Sequence, residues 1–429
     1  MHSRRVVCAA VVFFLLMSGL SDALAKRVDE EAYRYPYKDP WIATSTVSLM
    51  QGKETIPGGA IRDLQIKILE GRNHPYLEGK GELLYRFYQQ KTPAPLVFIL
   101  PGVGSSAYAG SARQVAEFLA GYGFHVLVLP SPFHWNFALA ASRSGLPGLT
   151  GKDAEDLYRA MQLILNEVKQ RWRAKIGKIG LLGLSVGALD AAYVGKLDTA
   201  QHKIGIATYL LINPPVDLLR SVRRIDDMAS LGGLYSENQR DYLESYALGL
   251  LGEALRNDPG SPDYFLGWDR RIGLTDRQIG YLIGERMQRA VGDAIYAADL
   301  ALNLGILRTP ISWGDRTQRL REAHSYTLTE YLKKILIERL RQMGNARIDP
   351  DELNARNSLP AIKTMLENNQ NFFLMHNLDD FLLTDQDIAF LEKTFGDRAM
   401  IYPHGGHLGN LWYSANQKDM LGIFRPLLN

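Results

Sequence analysis

The stretch Lys175–Gly195, KIGKIGLLGLSVGALDAAYVG, runs from an apolar segment through Gly-Leu-Ser-Val-Gly into an alanine-rich segment. The apolar part predicts a buried strand and the alanine-rich part predicts a helix. Between them, Gly183 and Gly187 flank Ser185 and permit a tight turn. A strand, a Gly-x-Ser-x-Gly turn and a helix form a nucleophile elbow, which exposes the serine hydroxyl at the end of the strand. The stretch therefore predicts a serine at the carboxyl edge of a sheet.

Strand and helix signals alternate on both sides of this elbow. Two segments with partial apolar alternation and no helix between them predict an antiparallel edge: Asp63–Leu69 and Glu82–Gln90. Continuous apolar runs predict strands that are covered on both faces: Leu96–Leu100, His125–Leu129, Ile179–Leu182, Ile206–Ile212, Asn371–Met375 and Ala399–Tyr402. The sequence thus predicts an α/β fold whose mostly parallel sheet has helices on both faces.

A long segment without strand signals interrupts this alternation after Ile206–Ile212. Its helical signals include three pairs with capping-box spacing: Ser236 and Gln239, Thr275 and Gln278, and Thr327 and Glu330. We expect an all-helical cap inserted after the sixth strand. The predicted organisation has an N-terminal leader, an arm on the domain surface, a core in two parts and the cap: residues 1–25, 26–60, 61–216 with 369–429, and 217–368.

The first residues have the pattern of a secretory signal peptide. Arg4 and Arg5 precede the apolar run Val6–Leu20, and an Ala-x-Ala cleavage site follows at residues 23–25. Cleavage would remove Cys8, the only cysteine, and leave a mature chain without thiols. The sequence therefore predicts a secreted or periplasmic protein, with a retained N-terminal anchor as the alternative.

Charge and composition exclude some classes of partner. The formal net charge is +3 over 429 residues, and no long basic run is present, so nucleic acid is not an expected partner. Beyond the leader no second segment has transmembrane length, and we expect no stable membrane span after cleavage. The oligomeric state stays open.

A serine needs a base, and the base needs an orienting acid. In the elbow arrangement the chain order is serine, acid, histidine. Asp379 and Asp380 follow one apolar strand, and His404 and His407 follow the next, so all four lie at the same sheet edge as Ser185. We favour His407 as the base, because glycines precede it in its loop, and keep His404 as the alternate. We favour Asp380 as the acid and keep Asp379 as the alternate, since geometry at the strand edge does not fix which carboxylate turns inward.

The loop PGVGSS after the strand Leu96–Leu100 predicts an oxyanion site. The backbone N–H groups of Val103 and Val186 are the expected donors, and Gly102 and Gly104 would let the loop approach a substrate. His134 and Trp135 follow another strand end and are candidate pocket residues.

Two other chemistries are not favoured by these motifs. The run from Gly102 to Ala107 fits a dinucleotide fingerprint, but the next strand ends without the carboxylate that such a site needs. The spacing of His404 and His407 lacks the further ligands of a metal site. We therefore predict neither a cofactor nor a metal.

The chain resembles the α/β-hydrolase superfamily over about residues 60–215 and 366–429. The resemblance rests on four motifs in the family's order: LPGVGSS, GLSVG, HNLDD and GGH. The resemblance implies Ser185 as nucleophile, Asp380 as acid, His407 as base and Val103 with Val186 as oxyanion donors. Pro101 stands where many members have histidine, and the helical insertion is longer than a typical lid.

The implied activity is that of a serine hydrolase, carboxylesterase-like, acting on a small molecule with an apolar acyl or aryl group. Thioesterase or short-peptide peptidase activity would use the same three residues, and a non-catalytic binding protein could share the fold.

Overall fold

The structure is a computed structural model that describes residues 25–50, 56, 58–72, 81–256, 262–312, 316–342 and 347–429. All of the expected leader except Ala25 lies outside the described residues. Within them, nine strands form one sheet: β1 (Lys26–Arg27), β2 (Gly59–Ile66), β3 (Leu83–Gln90), β4 (Ala94–Leu100), β5 (His125–Val128), β6 (Ile176–Leu184), β7 (Ile206–Ile212), β8 (Phe372–Asn377) and β9 (Ala399–Tyr402).

The sheet is mostly parallel, as predicted. Its strand order is β1-β9-β8-β7-β6-β4-β5-β3-β2, and only the β2–β3 and β3–β5 pairs are antiparallel among the pairs described. The predicted antiparallel edge is therefore confirmed as β2 and β3. The parallel strands all end at one edge of the sheet, which brings the residues after β4, β6, β7, β8 and β9 close together.

Helices cover both faces of the sheet. Outside the segment between β7 and β8 they are α1 (Glu30–Tyr33), α2 (Pro40–Ser45), α3 (Gly110–Gly121), α4 (Trp135–Ala140), α5 (Thr150–Gln170), α6 (Val186–Gln201), α17 (Asp385–Phe395) and α18 (Ser414–Phe424), with 3₁₀ turns at Thr46–Leu49, Gly396–Arg398 and Arg425–Leu428. Successive side chains of β4 alternate between two apolar clusters, so Phe98 packs on one face and Val97 on the other. This double burial explains the continuous apolar runs.

The described residues of the segment between β7 and β8 form helices and the loops that connect them, and no strand. It contains α7 (Leu218–Ser230), α8 (Glu237–Arg256), α9 (Pro262–Phe265), α10 (Trp268–Ile272), α11 (Asp276–Leu302), α12 (Thr317–His324), α13 (Leu328–Glu330), a π-helical turn (Tyr331–Leu336), α14 (Ile337–Gln342), α15 (Pro350–Asn357) and α16 (Lys363–Asn368), with 3₁₀ turns at Leu231–Leu234 and Leu359–Ile362. The capping boxes at Thr275 and Thr327 are confirmed. The segment follows the seventh strand of the structure, because the unforeseen β1 precedes the six predicted strands.

No helix among the described residues combines the length and the apolar character needed to cross a bilayer.

The N-terminal residues are integrated into the domain more deeply than an arm on its surface. The strand β1 pairs in parallel with β9 and extends the sheet. The rings of Tyr33, Tyr35 and Tyr37 are buried, and Tyr35 packs against Trp412. No sequence pattern predicts β1, because a two-residue strand is too short to show one.

Buried hydrogen bonds to the Asp198 carboxylate hold the connection between α6 and β7. The Asp198 carboxylate accepts hydrogen bonds from the backbone N–H groups of Ile204, Gly205 and Ile206 and from the Tyr158 hydroxyl. Burial alone would raise the pKa of Asp198, but these bonds lower it below its ordinary value. Asp198→Asn weakens this acceptor, and we expect it to lower the free energy of unfolding by about 1–3 kcal/mol at neutral pH.

Because the pKa of Asp198 is lower in the folded protein, its stabilisation is present above the unfolded pKa and is lost as the pH falls through the folded pKa. Denaturant unfolding of Asp198→Asn beside a matched change of the exposed Asp241, Asp241→Asn, measures both effects. Equal stabilities of the two variants at neutral pH would contradict the expectation.

Candidate active site

Ser185 lies in a sharp turn between β6 and α6. Its backbone has φ 55° and ψ −126°, a region that residues with side chains rarely adopt. A Cβ on Gly183 would collide with the carbonyl oxygen of Gly187, and one on Gly187 would collide with those of Leu100 and Pro101. Both glycines of the elbow are therefore required by close backbone contacts.

The structure brings Ser185 together with His407 and Asp380. His407 Nε2 lies 2.8 Å from Ser185 Oγ, and His407 Nδ1 lies 2.8 Å from Asp380 Oδ2. The three residues are 7%, 3% and 3% exposed, respectively. A hydroxyl, an imidazole and a carboxylate joined in this order can move a proton from the hydroxyl to the imidazole.

Asp380 is held by groups from several elements. Its carboxylate accepts hydrogen bonds from Asn213 Nδ2 at 2.8 Å and from the Leu382 N–H at 3.1 Å. Burial opposes its ionisation, but the charge and hydrogen bond of His407 and the hydrogen bond from Asn213 lower the pKa of Asp380. The carboxylate is therefore ionised at neutral pH and orients the His407 ring.

His376 lies near the same carboxylate oxygen that His407 contacts. It is fully buried, and its Nε2 is 3.8 Å from Asp380 Oδ2. Burial lowers the pKa of His376 to about 4, although the Asp380 charge opposes the shift. His376 is thus neutral where Asp380 is ionised.

The alternate acid, Asp379, and the alternate base, His404, have hydrogen-bond partners other than the Ser185 hydroxyl. Asp379 accepts hydrogen bonds from the N–H groups of Gly405 and Gly406, at 3.1 and 2.8 Å, and so braces the histidine loop. His404 Nε2 lies 3.3 Å from Glu30 Oε1, on the N-terminal segment. Among the described hydrogen bonds, neither residue contacts Ser185.

The predicted oxyanion loop borders the serine. The Ser105 N–H donates to the Gly102 carbonyl at 3.1 Å and closes a turn, which Gly104 completes with φ 66°. A Cβ on Gly102 would lie 3.8 Å from Ser185 Oγ. Val186 opens α6, so its N–H has no partner within the helix. The loop and the helix start thus flank the hydroxyl.

Gly104 packs closely against the inserted helices. A Cβ at this position would collide with Ala290 of α11. Of the other two candidate pocket residues, His134 caps α4 through its Nδ1, which accepts from the Asn136 N–H at 3.3 Å, and Trp135 is the first residue of that helix. Among the described hydrogen bonds, none joins either residue to Ser185.

Within the described part of the chain, no group of three or more histidine, cysteine, aspartate or glutamate side chains is arranged to hold a metal ion.

Sequence reasoning missed two residues that contact the site, Asn213 and Thr44. Asn213 directly follows β7, and its position at a strand end was a usable signal. His376, the first residue of the HNLDD motif, lies inside β8 beside Asp380. Thr44 accepts a hydrogen bond from the His407 N–H, and no local pattern around it indicates this contact.

The strand order, the strained serine turn and the chain order of Ser185, Asp380 and His407 define an α/β-hydrolase fold, with Ser185 in the turn between β6 and α6. This is the fold that the sequence motifs predicted.

No protein-family model matches the chain, and no curated protein matches it. Solved structures with a similar backbone include an esterase of Pyrobaculum calidifontis, at 15% identity over 91% of this chain and 92% of that chain, with a TM-score of 0.43. EstE1, a thermophilic carboxylesterase cloned from a metagenomic library, is 15% identical over 93% and 97%, with a TM-score of 0.43. Brefeldin A esterase, a bacterial homologue of human hormone-sensitive lipase, is 13% identical over 92% and 86%, with a TM-score of 0.40. Likenesses at this level carry no inference about activity.

Asp379 gives the site a measurable pH dependence. Burial raises the pKa of Asp379 from 3.8 to about 6, because the bonds from Gly406 and Gly405 only partly offset its lost hydration. The folded protein therefore holds this proton more tightly than the unfolded chain, and stability is lost as the pH rises from 3.8 to about 6. In Asp379→Asn the titration is absent, so its stability relative to wild type should rise across this interval by about 1–3 kcal/mol.

Denaturant unfolding on either side of the interval measures this relative change, with Asp241→Asn as the control at an exposed carboxylate. A stability difference that stayed constant with pH would show that Asp379 does not titrate as described.

Proposed function

We propose that the chain is a serine hydrolase that cleaves an ester-like acyl bond through an acyl-enzyme on Ser185. The observation that supports this most is the continuous line of hydrogen-bond distances from Ser185 Oγ through His407 to Asp380, each 2.8 Å. The strained turn at Ser185 adds support, because strained backbone conformations are concentrated at active sites and ligand-binding sites.

In the proposed reaction, Ser185 Oγ attacks the carbonyl carbon while its proton moves to His407 Nε2. Asp380 stabilises the imidazolium, and the N–H groups of Val103 and Val186 donate to the negative carbonyl oxygen. The tetrahedral intermediate collapses, and the leaving alcohol takes the proton from His407. Water, deprotonated by His407, then attacks the acyl-enzyme and releases the acid and the free serine.

The surroundings favour a substrate with an apolar acyl or aryl group. Val103, beside the serine, and Phe381, next to Asp380, both pack against an apolar cluster that includes Val291 and Ile295 of α11. The segment between β7 and β8 thus places apolar side chains next to the proposed oxyanion loop, and we propose that it acts as a cap over the substrate.

We also propose that the protein acts in a secreted or periplasmic compartment. The support is the leader pattern in residues 1–25 and the absence of cysteine from the remaining sequence. Signal cleavage can be read directly from the N-terminal residue of the mature protein.

Fluorophosphonate labelling tests the nucleophile without knowledge of the substrate. We expect mass spectrometry to find the label on Ser185 in wild-type protein and on none of the serines in Ser185→Ala, because the proposed base activates only this hydroxyl. His407→Ala should slow labelling strongly, whereas Ser414→Ala, at an exposed serine, should leave it unchanged. Folded protein that is not labelled at Ser185 would argue against the proposed function.

The two neighbouring aspartates give a second test. Asp380→Asn should lower kcat for p-nitrophenyl butyrate by about 10⁴-fold, because the His407 ring loses the carboxylate that fixes its tautomer. Asp379→Asn should lower kcat much less, since Asp379 contacts the loop backbone and not the ring. Steady-state kinetics of both variants measure this order, and a larger loss in Asp379→Asn would reverse the assignment of the acid.

A further inference from the structure

The N-terminal segment 26–50, here called the N-terminal strap, crosses the loop that carries His407. Its helix α2 begins after Asp39, whose side chain accepts from the N–H groups of Trp41 and Ile42. In the last turn of α2, Thr44 Oγ1 accepts a hydrogen bond from the His407 N–H at 2.8 Å. The same hydroxyl donates to the Pro40 carbonyl at 2.7 Å, so its proton is directed away from His407. Thr44 is buried, and this hydrogen bond is shielded from solvent.

The histidine loop is shaped to receive the strap. Gly406 has φ 54°, and a Cβ there would collide with the Pro40 carbonyl oxygen and with Thr44 Oγ1. A Cβ on Gly409 would collide with the Ala43 carbonyl oxygen. The glycines around His407 therefore serve a second purpose: besides permitting the loop conformation, they let the strap approach its backbone.

Further contacts hold the strap at the same place. Thr46 Oγ1 donates to the Gly409 carbonyl at 2.8 Å, and the Tyr35 hydroxyl donates to the same carbonyl at 3.0 Å. Trp41 stacks on Phe381 with 4.4 Å between ring centroids and 15° between planes. The strap thus touches both the histidine loop and the residue after Asp380.

We propose that Thr44 is a positioning residue for the base of the proposed reaction. Asp380 fixes the His407 ring from Nδ1, but it does not fix the backbone from which the ring extends. That backbone is held at its N–H by Thr44. The proposal rests on the proposed function of His407, and it assigns part of the catalytic geometry to a segment distant in sequence from the serine, aspartate and histidine.

Substitutions at Thr44 test this role in the full chain. Thr44→Val keeps the shape and removes the acceptor, whereas Thr44→Ser keeps the acceptor and removes a methyl group. We expect Thr44→Val to lower both kcat for p-nitrophenyl butyrate and the rate of fluorophosphonate labelling by about 10- to 100-fold, with little change in KM, because small displacements of a catalytic group have effects of this size. Thr44→Ser should restore most of the rate. Ser48→Ala, on the exposed side of the strap, is the matched control and should behave as wild type.

Rates are expressed per folded molecule, from the near-ultraviolet circular dichroism of each sample. If Thr44→Val does not fold, Thr44→Ala replaces it in the comparison with Thr44→Ser. A purely structural role would lower the melting temperature and leave kcat of the folded protein unchanged, or would affect the valine and serine variants equally, and either result overturns the proposal. Failure of the proposed function has a different signature, because wild-type protein itself would then not be labelled at Ser185.

Discussion

The hydrogen bond between His407 Nε2 and Ser185 Oγ joins two parts of the chain. Regular secondary structure holds one part, and side-chain contacts hold the other. Ser185 is fixed by regular structure, because β6 and α6 meet at its turn and its N–H donates to the Ile212 carbonyl at 2.9 Å. His407 lies in irregular backbone after β9, where no ladder of hydrogen bonds fixes it. The site therefore depends on side chains that hold this loop: Asp379 at two N–H groups, Asn377 at the Gly406 carbonyl and Thr44 at the His407 N–H.

The burial of the site sets a second constraint. An ionised carboxylate away from water is costly unless it is hydrogen-bonded, and Asp380 has donors from Asn213, Leu382 and His407. The neutral His376 beside it brings no competing positive charge at neutral pH. In the proposed reaction the charge of Asp380 is therefore directed at His407, the one neighbour that gains a proton.

Much of this arrangement was predictable, since it follows from periodicity and from the direction of parallel strands. The apolar runs located the central strands, and the strand ends located the carboxylates and histidines. The choice between Asp379 and Asp380 was not predictable from the pattern, because successive residues after a strand point in different directions. The contact between Thr44 and His407 was not predictable for another reason. Thr44 lies 363 positions from His407, and a single hydroxyl carries no periodic signal.

The strap also connects the histidine loop with the helical segment between β7 and β8. The Trp268 N–H donates to the Tyr37 hydroxyl at 2.9 Å, and Trp268 Nε1 donates to Ser45 Oγ at 2.8 Å, one residue from Thr44. Phe265 stacks on Trp412 with 4.4 Å between ring centroids. Because α10 and the histidine loop both contact the strap, a displacement of α10 would also displace the residues that position His407. If the segment between β7 and β8 moves as the proposed cap, the site stays intact only where the moving helices are not attached to the strap.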